Sequence, residues 1–371
     1  MSVALAQGYT ATGRRILNHD IMNCTADGVT GNQLYSGRAL GISEPWDIVQ
    51  LHPDLEPLWP AIHAHYQRIG LQHSQDVIWH VHREELGSRI GFQPSVFFFG
   101  PEECRFWGDN TWMETVDYIN SKNNFVALAE HLHVDIPQTR CFDKVEDISE
   151  GDLADVAFPC YAKAAVSVSG VGIYRCEDHD ALQEALTRFA PGTPVQIQEE
   201  VIADAFLNLQ YQVIGNELVR LTASEQILDG FVHQGNQVPA RHEPWESVEP
   251  MARWLQDQGI KGIFAFDVAV VQTPSGLRFP AIECNPRFNG ASYPTLVAHK
   301  LGVRAWRAVA FQTRHRSLEA IDLSDIEFNP KTGVGVVLVN WGPVLEGKLL
   351  VLLAGNHAQQ DQLQQQMLER L

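Results

Sequence analysis

Residues 281–290 read AIECNPRFNG. A carboxylate, an amide and a guanidinium (Glu283, Asn285 and Arg287) close an apolar run, with Gly290 just beyond. Alternate side chains of a strand share a face, so Glu283 and Asn285 point the same way. Two hard oxygen donors on one face suit Mg²⁺, which takes carboxylate, carbonyl and water ligands. An arginine beside them indicates that a phosphate or a carboxylate is handled there.

Working back from this stretch, GIFAFDVAVVQTPSGLRFPAIECN reads as a hairpin that turns at TPSG. Strict pairing sets Gln272 against Leu277 and Asp267 against Ile282. That would leave Asp267 and Glu283 on opposite faces, because cross-strand partners share a side. Proline inside a strand marks an edge or a bulge, so Pro280 predicts one bulged residue here. The bulge restores a common face and gathers Asp267, Glu283 and Asn285 as metal ligands. No lysine is foreseen as a partner for Glu283.

The chain has 371 residues, a length that fits about two or three domains. Its formal net charge of −18 argues against a general basic surface for nucleic acid or an anionic membrane. A few local cations still suffice for a small anionic ligand. No signal peptide is read at the N-terminus, and no apolar run approaches the ~20 residues that span a bilayer. Six cysteines without a CxxC pair read as reduced cytosolic thiols, and a cytoplasmic location is expected. The pairs His63/His65, His80/His82 and His131/His133 have no third ligand nearby in sequence and read as surface histidines.

Residues 1–115 mix helical stretches with strand-like runs, DVIWHVH and PSVFFFGP among them. GYTATG follows no strand, so it reads as a turn rather than a dinucleotide fingerprint. Asn120 or Ser121 can cap a helix whose apolar residues Phe125, Leu128, Ala129 and Leu132 keep a 3.6-residue period. FPCYAKAAVSVSGVGIYRC reads as two strands around a small-residue loop, DHDALQEALTRFA as a helix and TPVQIQEEVI as a strand. FLNLQYQVIGNELVRLTASEQI is a hairpin turning at Gly215-Asn216. A last hairpin, GVGVVLVNWGPVLEGKLLVLLAG, precedes a helix with Leu363, Met367 and Leu371 on one face.

Three further segments carry candidate chemistry. Ser169, Gly170 and Gly172 make a loop whose backbone N–H groups can approach an anion. Taken alone it also reads as a flexible hairpin, but Lys163 just before it suggests a phosphate clamp under a flap. Lys122 at the helix start is a candidate second cation. IQEEVI is a strand running into a hinge at Glu199, Glu200 and Val201, where a backbone carbonyl and N–H match an adenine edge. Asp204 is placed either on a ribose hydroxyl or in solvent. His233 reads equally as a substrate contact and as a loop residue, and Asn289, Gly290 and Ser292 offer backbone N–H groups for a substrate carboxylate.

In this order, a helix-start lysine, a lysine with a glycine-rich flap, an acidic hinge, an Asp and then Glu-x-Asn-Pro-Arg, the chain resembles the ATP-grasp superfamily over residues 116–320. The resemblance implies an α/β and α+β ATP-grasp fold with an N-terminal α/β domain over 1–115. It implies a small subdomain with the flap over 116–200 and a large subdomain with the metal and substrate site over 201–320. Residues 321–371 would form a C-terminal hairpin and helix packed on that core. It further implies ATP as cofactor, with Lys122 and Lys163 on its phosphates and Glu199 to Val201 at the adenine. Mg²⁺, or Mn²⁺ in its place, would sit on Asp267, Glu283 and Asn285.

The reaction so implied is carboxylate–amine ligation through an acyl-phosphate, releasing ADP and phosphate, with Lys163 and Arg287 catalytic. Arg287 falls where NPR supports the acyl-phosphate. The partners would be a small-molecule acid and amine, amino acids or a short peptide, with neither nucleic acid nor membrane; a homodimer is compatible. A carboxylase that makes carboxyphosphate from bicarbonate, a kinase and a non-catalytic nucleotide sensor are the alternatives.

Overall fold

Strand β1 (Arg14–Asn18) starts a four-stranded parallel sheet in which β2 (Ile48–Gln50) and β4 (Phe92–Val96) flank it and β3 (Asp76–Ile78) lies outside β2. The computed structural model describes residues 13–25, 30–167, 172–229 and 232–371. A parallel sheet needs cover on both faces, and the neighbours Ile16 and Leu17 are both fully buried, each in a different core cluster. GYTATG falls almost wholly outside the described residues.

A second, antiparallel sheet has the order β5-β8-β6-β7, from β5 (Thr139–Phe142), β6 (Cys160–Ala164), β7 (Ile173–Cys176) and β8 (Val195–Glu199). The period-two pattern of VQIQE sorts its faces. Cys160, Ala162, Cys176 and Ile197 pack on the helix His179–Leu186 through Leu182 and Ala185. The opposite face carries Tyr161, Lys163, Gln196 and Gln198, which pair across β6 and β8.

The large sheet contains β9 (Ala205–Ile214), β10 (Glu217–Asp229), β11 (Val232–Val238), β12 (Gly262–Thr273), β13 (Gly276–Arg278), β14 (Ala281–Asn285), β15 (Trp306–Gln312), β16 (Gly335–Asn340) and β17 (Lys348–Ala354). Its order is β13-β12-β9-β10-β11-β15-β17-β16, with β14 also on β12. Leu207, Leu209, Tyr211 and Val213 put one face of β9 against the helices Asn110–Asn120, Lys122–His131 and Glu249–Asp257. Residues 116–131, which the sequence groups with the small subdomain, therefore share their core with the large sheet, because the apolar stripe Phe125, Val126, Leu128, Ala129 points there.

The last two strands extend the large sheet through β15 and also close the N-terminal unit. Tyr66 donates its hydroxyl to the Leu338 carbonyl at 3.0 Å, and His65 Nε2 accepts from the Leu338 N–H at 3.0 Å. Trp341 is fully buried in the same cluster as Leu17, Leu34 and Ile62. The helix His357–Arg370 follows, with Leu363 and Met367 inward. No helix among the described residues is long and apolar enough to cross a membrane.

Candidate active site

The hairpin β12–β14 positions the acids. Gln272 pairs with Leu277 and Thr273 with Gly276, but Asp267 pairs with Glu283 while Val268 pairs with Ala281. One extra residue, Ile282, is accommodated just after Pro280. Without that bulge the two carboxylates would lie on opposite faces. Asn208 on β9 pairs with Asp267, so Asn208, Asp267 and Glu283 stand side by side across three strands.

Amides hold Asp267. Its Oδ1 accepts from Asn208 at 2.7 Å and Gln226 at 2.6 Å, and its Oδ2 from Asn285 at 3.0 Å. Burial, and then the negative Glu283 beside it, push its carboxyl above the usual carboxylate range. Glu283 behaves oppositely. Burial works against its ionisation, but Lys122, with Lys163 and Arg287 behind it, outweighs burial and holds the carboxyl low. Lys122 Nζ lies 3.1 Å from Glu283 Oε2. This ion pair corrects the sequence reading, which left Glu283 without a lysine partner.

Lys122 reaches the acid because Ser121 caps the helix Lys122–His131 and the Lys122 N–H donates to the Ala165 carbonyl at 2.7 Å, at the end of β6. Lys163, 9% exposed, donates to Gln198 Oε1 at 2.6 Å. Burial lowers its pKa to about 8; Glu283 opposes that shift and Lys122 adds to it. Lys122, Lys163, Glu283 and Asp267 thus form one electrostatic unit joining the small sheet to the large one.

At the hinge, the Glu199 side chain accepts from the Gln138 N–H at 2.9 Å. Glu200 takes Arg175 in a two-point pair at 2.6 and 2.8 Å, with the Tyr161 hydroxyl at 2.9 Å. Both side chains are engaged within the small sheet. The Val201 N–H and carbonyl form no hydrogen bond with the described residues, so the free donor–acceptor pair of the hinge is there. Asp204 is exposed at the entry to β9. Gly172 accepts from the Ala164 N–H at 2.9 Å. Ser169 and Gly170 lie outside the described residues.

The oxygen-only donor set of Asp267, Glu283 and Asn285 is of the kind that Mg²⁺ completes with water and phosphate. Among the described residues no group of three His, Cys, Asp or Glu could hold a metal, the His-x-His pairs included. His63 instead contacts His73 at 2.9 Å and stacks on Trp59, and His65 is bonded to Glu327 at 2.6 Å.

No family model matches the sequence, and none of the curated proteins matches it. Solved structures do match. N5-carboxyaminoimidazole synthetase from Staphylococcus aureus, complexed with ADP, superimposes with a TM-score of 0.60 at 12% identity, covering 97% of each chain. The N5-carboxyaminoimidazole ribonucleotide synthetase of Thermus thermophilus gives 0.54 at 15% over 96% of each. L-amino acid ligase from Bacillus licheniformis gives 0.51 at 11%, over 84% of this chain and 94% of that one. The chain has the ATP-grasp fold. At these identities the likeness carries the fold alone.

A cavity of about 470 Å³ opens beside the acids. Asp267, Glu283, Asn285 and Arg287 line it, and so do Tyr35, Arg38 and Phe97 of the N-terminal unit. The Phe288 N–H donates to the Phe97 carbonyl at 3.1 Å and ties the two walls together. His233 lines the cavity, with Nε2 2.6 Å from Asn236 Oδ1; burial depresses its pKa, which the Asn236 contact only partly offsets. A Cβ at Gly290 would stand 2.9 Å from His233 Cε1, so a glycine is what lets the ring lie there.

The Asn289 and Ser292 N–H groups are engaged within the chain. Asn289 Oδ1 accepts from the Ala291 and Ser292 N–H groups at 2.9 and 3.2 Å, and the Asn289 N–H donates to Ser292 Oγ at 3.0 Å. These groups start the helix Ser292–Leu301 and engage the Asn289 and Ser292 N–H groups, whereas the Gly290 N–H has no hydrogen-bond partner among the described residues. Sequence reasoning missed Asn208, Gln226, Gln198 and Arg38. For the first three the signal was present, since each is a polar residue on the polar side of an alternating strand. For Arg38 there was none.

Proposed function

We propose that the protein is an ATP-dependent ligase that joins a small carboxylic acid to an amine through an acyl-phosphate. The observation that carries this reading is the bulge at Ile282, which sets Asp267 opposite Glu283 at the mouth of a cavity holding Arg287. Lys122 from a helix start and Lys163 from the small sheet reach the same point.

In the reaction a carboxylate oxygen bonds to the γ-phosphorus as the bond to the β–γ bridging oxygen breaks, and ADP departs. The amine nitrogen then bonds to the acyl carbon, the bond from that carbon to the phosphate oxygen breaks, and the amine releases a proton. Phosphoryl transfer needs positioned positive charge more than covalent help, and this chain supplies it from three side chains. Lys163 and Lys122 bind the phosphates; a phosphate beside Lys163 repays the burial that depresses its pKa. Arg287 meets the transferring phosphoryl and the developing oxyanion. Val201 offers its free N–H and carbonyl to the adenine edge, as Asp204 offers its carboxylate to the ribose. Held by Asp267, Glu283 and Asn285, Mg²⁺ would neutralise phosphate charge and fix its orientation.

The acid and amine are small molecules, amino acids or a short peptide on this reading. A second reading takes bicarbonate as the acid, prompted by the carboxyaminoimidazole synthetases that superimpose along the whole chain. Phosphate release from ATP and Mg²⁺, scored over a panel of acids and amines with and without bicarbonate, tests both. Release that requires an acid and an amine supports ligation. Strict dependence on bicarbonate supports the second reading, and the appearance of AMP overturns both.

A further inference from the structure

Arg38 lines the same cavity as the acids, and it is 7% exposed. Its guanidinium lies 4.3 Å from the Tyr293 ring centroid, 4.6 Å from Phe97 and 5.3 Å from Tyr35. Among the described residues its Nε and Nη2 have no hydrogen-bond partner and no carboxylate pairs with it. Aromatic faces compensate a buried guanidinium only in part. The same N-terminal unit shows the usual treatment of such a group: Arg83 is paired with Asp20 at 3.3 Å and with Glu103.

The space around Arg38 is also unusual in charge. A second chamber of about 210 Å³ shares Tyr35, Arg38, His233 and Gly290 with the first. Lys348 and Asn340 stand in its wall, and Asn340 Oδ1 is another buried atom without a partner. No described Asp or Glu lines this chamber, although the chain holds 45 acids against 27 lysines and arginines. Among the described residues, two cations without a counter-charge therefore face a cavity continuous with the site of the proposed ligation.

We propose that Arg38, with Lys348 behind it, binds an anionic group that the substrate carries in addition to the carboxylate being activated. That group is a second carboxylate or a phosphate, both of which a guanidinium recognises with paired donors. The inference rests on the ligase reading. It makes Arg38 a specificity-determining residue and leaves the nucleotide to Lys122, Lys163 and the hinge.

Calorimetric titration of the full chain, saturated with ADP and Mg²⁺, tests it. The probes are glutarate, glycerol 3-phosphate and their uncharged counterparts glutaramide and glycerol. One anion is expected to bind at least tenfold more tightly than its counterpart, and which anion does so names the source of the charge. Arg38→Met is expected to erase that preference while ADP affinity stays within twofold, a split that general loosening of the fold would not produce. Should Arg38→Met lose ADP binding as well, Lys348→Gln, at an exposed position, supplies the test: a severalfold loss of preference is expected, and an unchanged preference overturns the inference. Equal binding of anions and counterparts by the parent overturns it too, as does a preference that survives the Arg38 substitution. Failure of the parent to bind ADP sinks the ligase reading instead.

Discussion

Lys122 Nζ sits 3.1 Å from Glu283 Oε2, which ties a helix start to a strand end across the mouth of the cavity. A cation seen as a phosphate ligand in sequence thus has a carboxylate partner in the chain itself. Phosphate and divalent cation would share that pair between them, the first on Lys122 and the second on Glu283.

Glu283→Gln should therefore leave a folded protein with almost no turnover. The amide keeps the shape but loses the charge that holds a divalent cation, and a fall on the order of 10²–10³ in rate is expected. Phosphate release at saturating Mg²⁺ measures it, and activity near the parent's would remove Glu283 from the ligand set.

Lys163→Ala should weaken ATP binding, because a charge-assisted hydrogen bond to phosphate contributes roughly 1.5–3 kcal/mol. The titration of Lys163 gives a second readout. With its pKa lowered to about 8 by burial, the lysine loses its charge as pH rises through that value. ADP affinity of the parent should decline between pH 7 and 9.5, and Lys163→Ala should lack that decline. Stability moves the other way: above pH 8 the unfolded chain still binds the proton and the folded one does not, so the lysine's contribution rises with pH. A flat affinity profile for the parent would count against Lys163 as a phosphate ligand.

Arg287→Met keeps bulk and removes the donors that meet the transferring phosphoryl. ATP binding should survive, since the lysines and hinge lie elsewhere, while the rate falls by on the order of 10²–10³. With hydroxylamine as the amine, the parent should form a hydroxamate from its acid and the variant should not. Parental rate in the variant, or AMP among the products, contradicts the acyl-phosphate route.

Asn208→Leu removes one of three amide donors from Asp267. Leaving a largely enclosed carboxylate short of a donor costs about 1–3 kcal/mol, read as a lower urea midpoint at unchanged slope. An unchanged midpoint would show that Gln226 and Asn285 suffice without it.

Much of this architecture can be read from the chain, and the bulge shows how. TPSG fixed the turn, Pro280 required an irregularity, and Asp267 opposite Glu283 follows from those two facts. Lys163 was legible for a similar reason, since period-two alternation assigns it to the face of Gln196 and Gln198. What was hidden depends on contacts between distant segments. The Lys122–Glu283 pair needs a helix start to meet a distant strand end, and Arg38 becomes notable only when Phe97 and Tyr293 enclose it. Asn289 illustrates a different loss. Its backbone N–H invites a substrate role, but a local helix start claims it first.

The closure of the N-terminal core by Leu338 and Trp341 has a consequence for biogenesis. A nascent chain leaving the ribosome carries Leu17, Leu34, Ile62 and Tyr66 long before the strands that cover them exist. Those side chains must wait in a collapsed, incompletely covered state, one that chaperones recognise. An isolated fragment of residues 13–120 should bind the hydrophobic dye ANS strongly, and the full chain should not; a dye-silent fragment would show that the first sheet closes unaided. Order of synthesis and order of folding are then opposed in this protein: the segment made first is among the last to be finished.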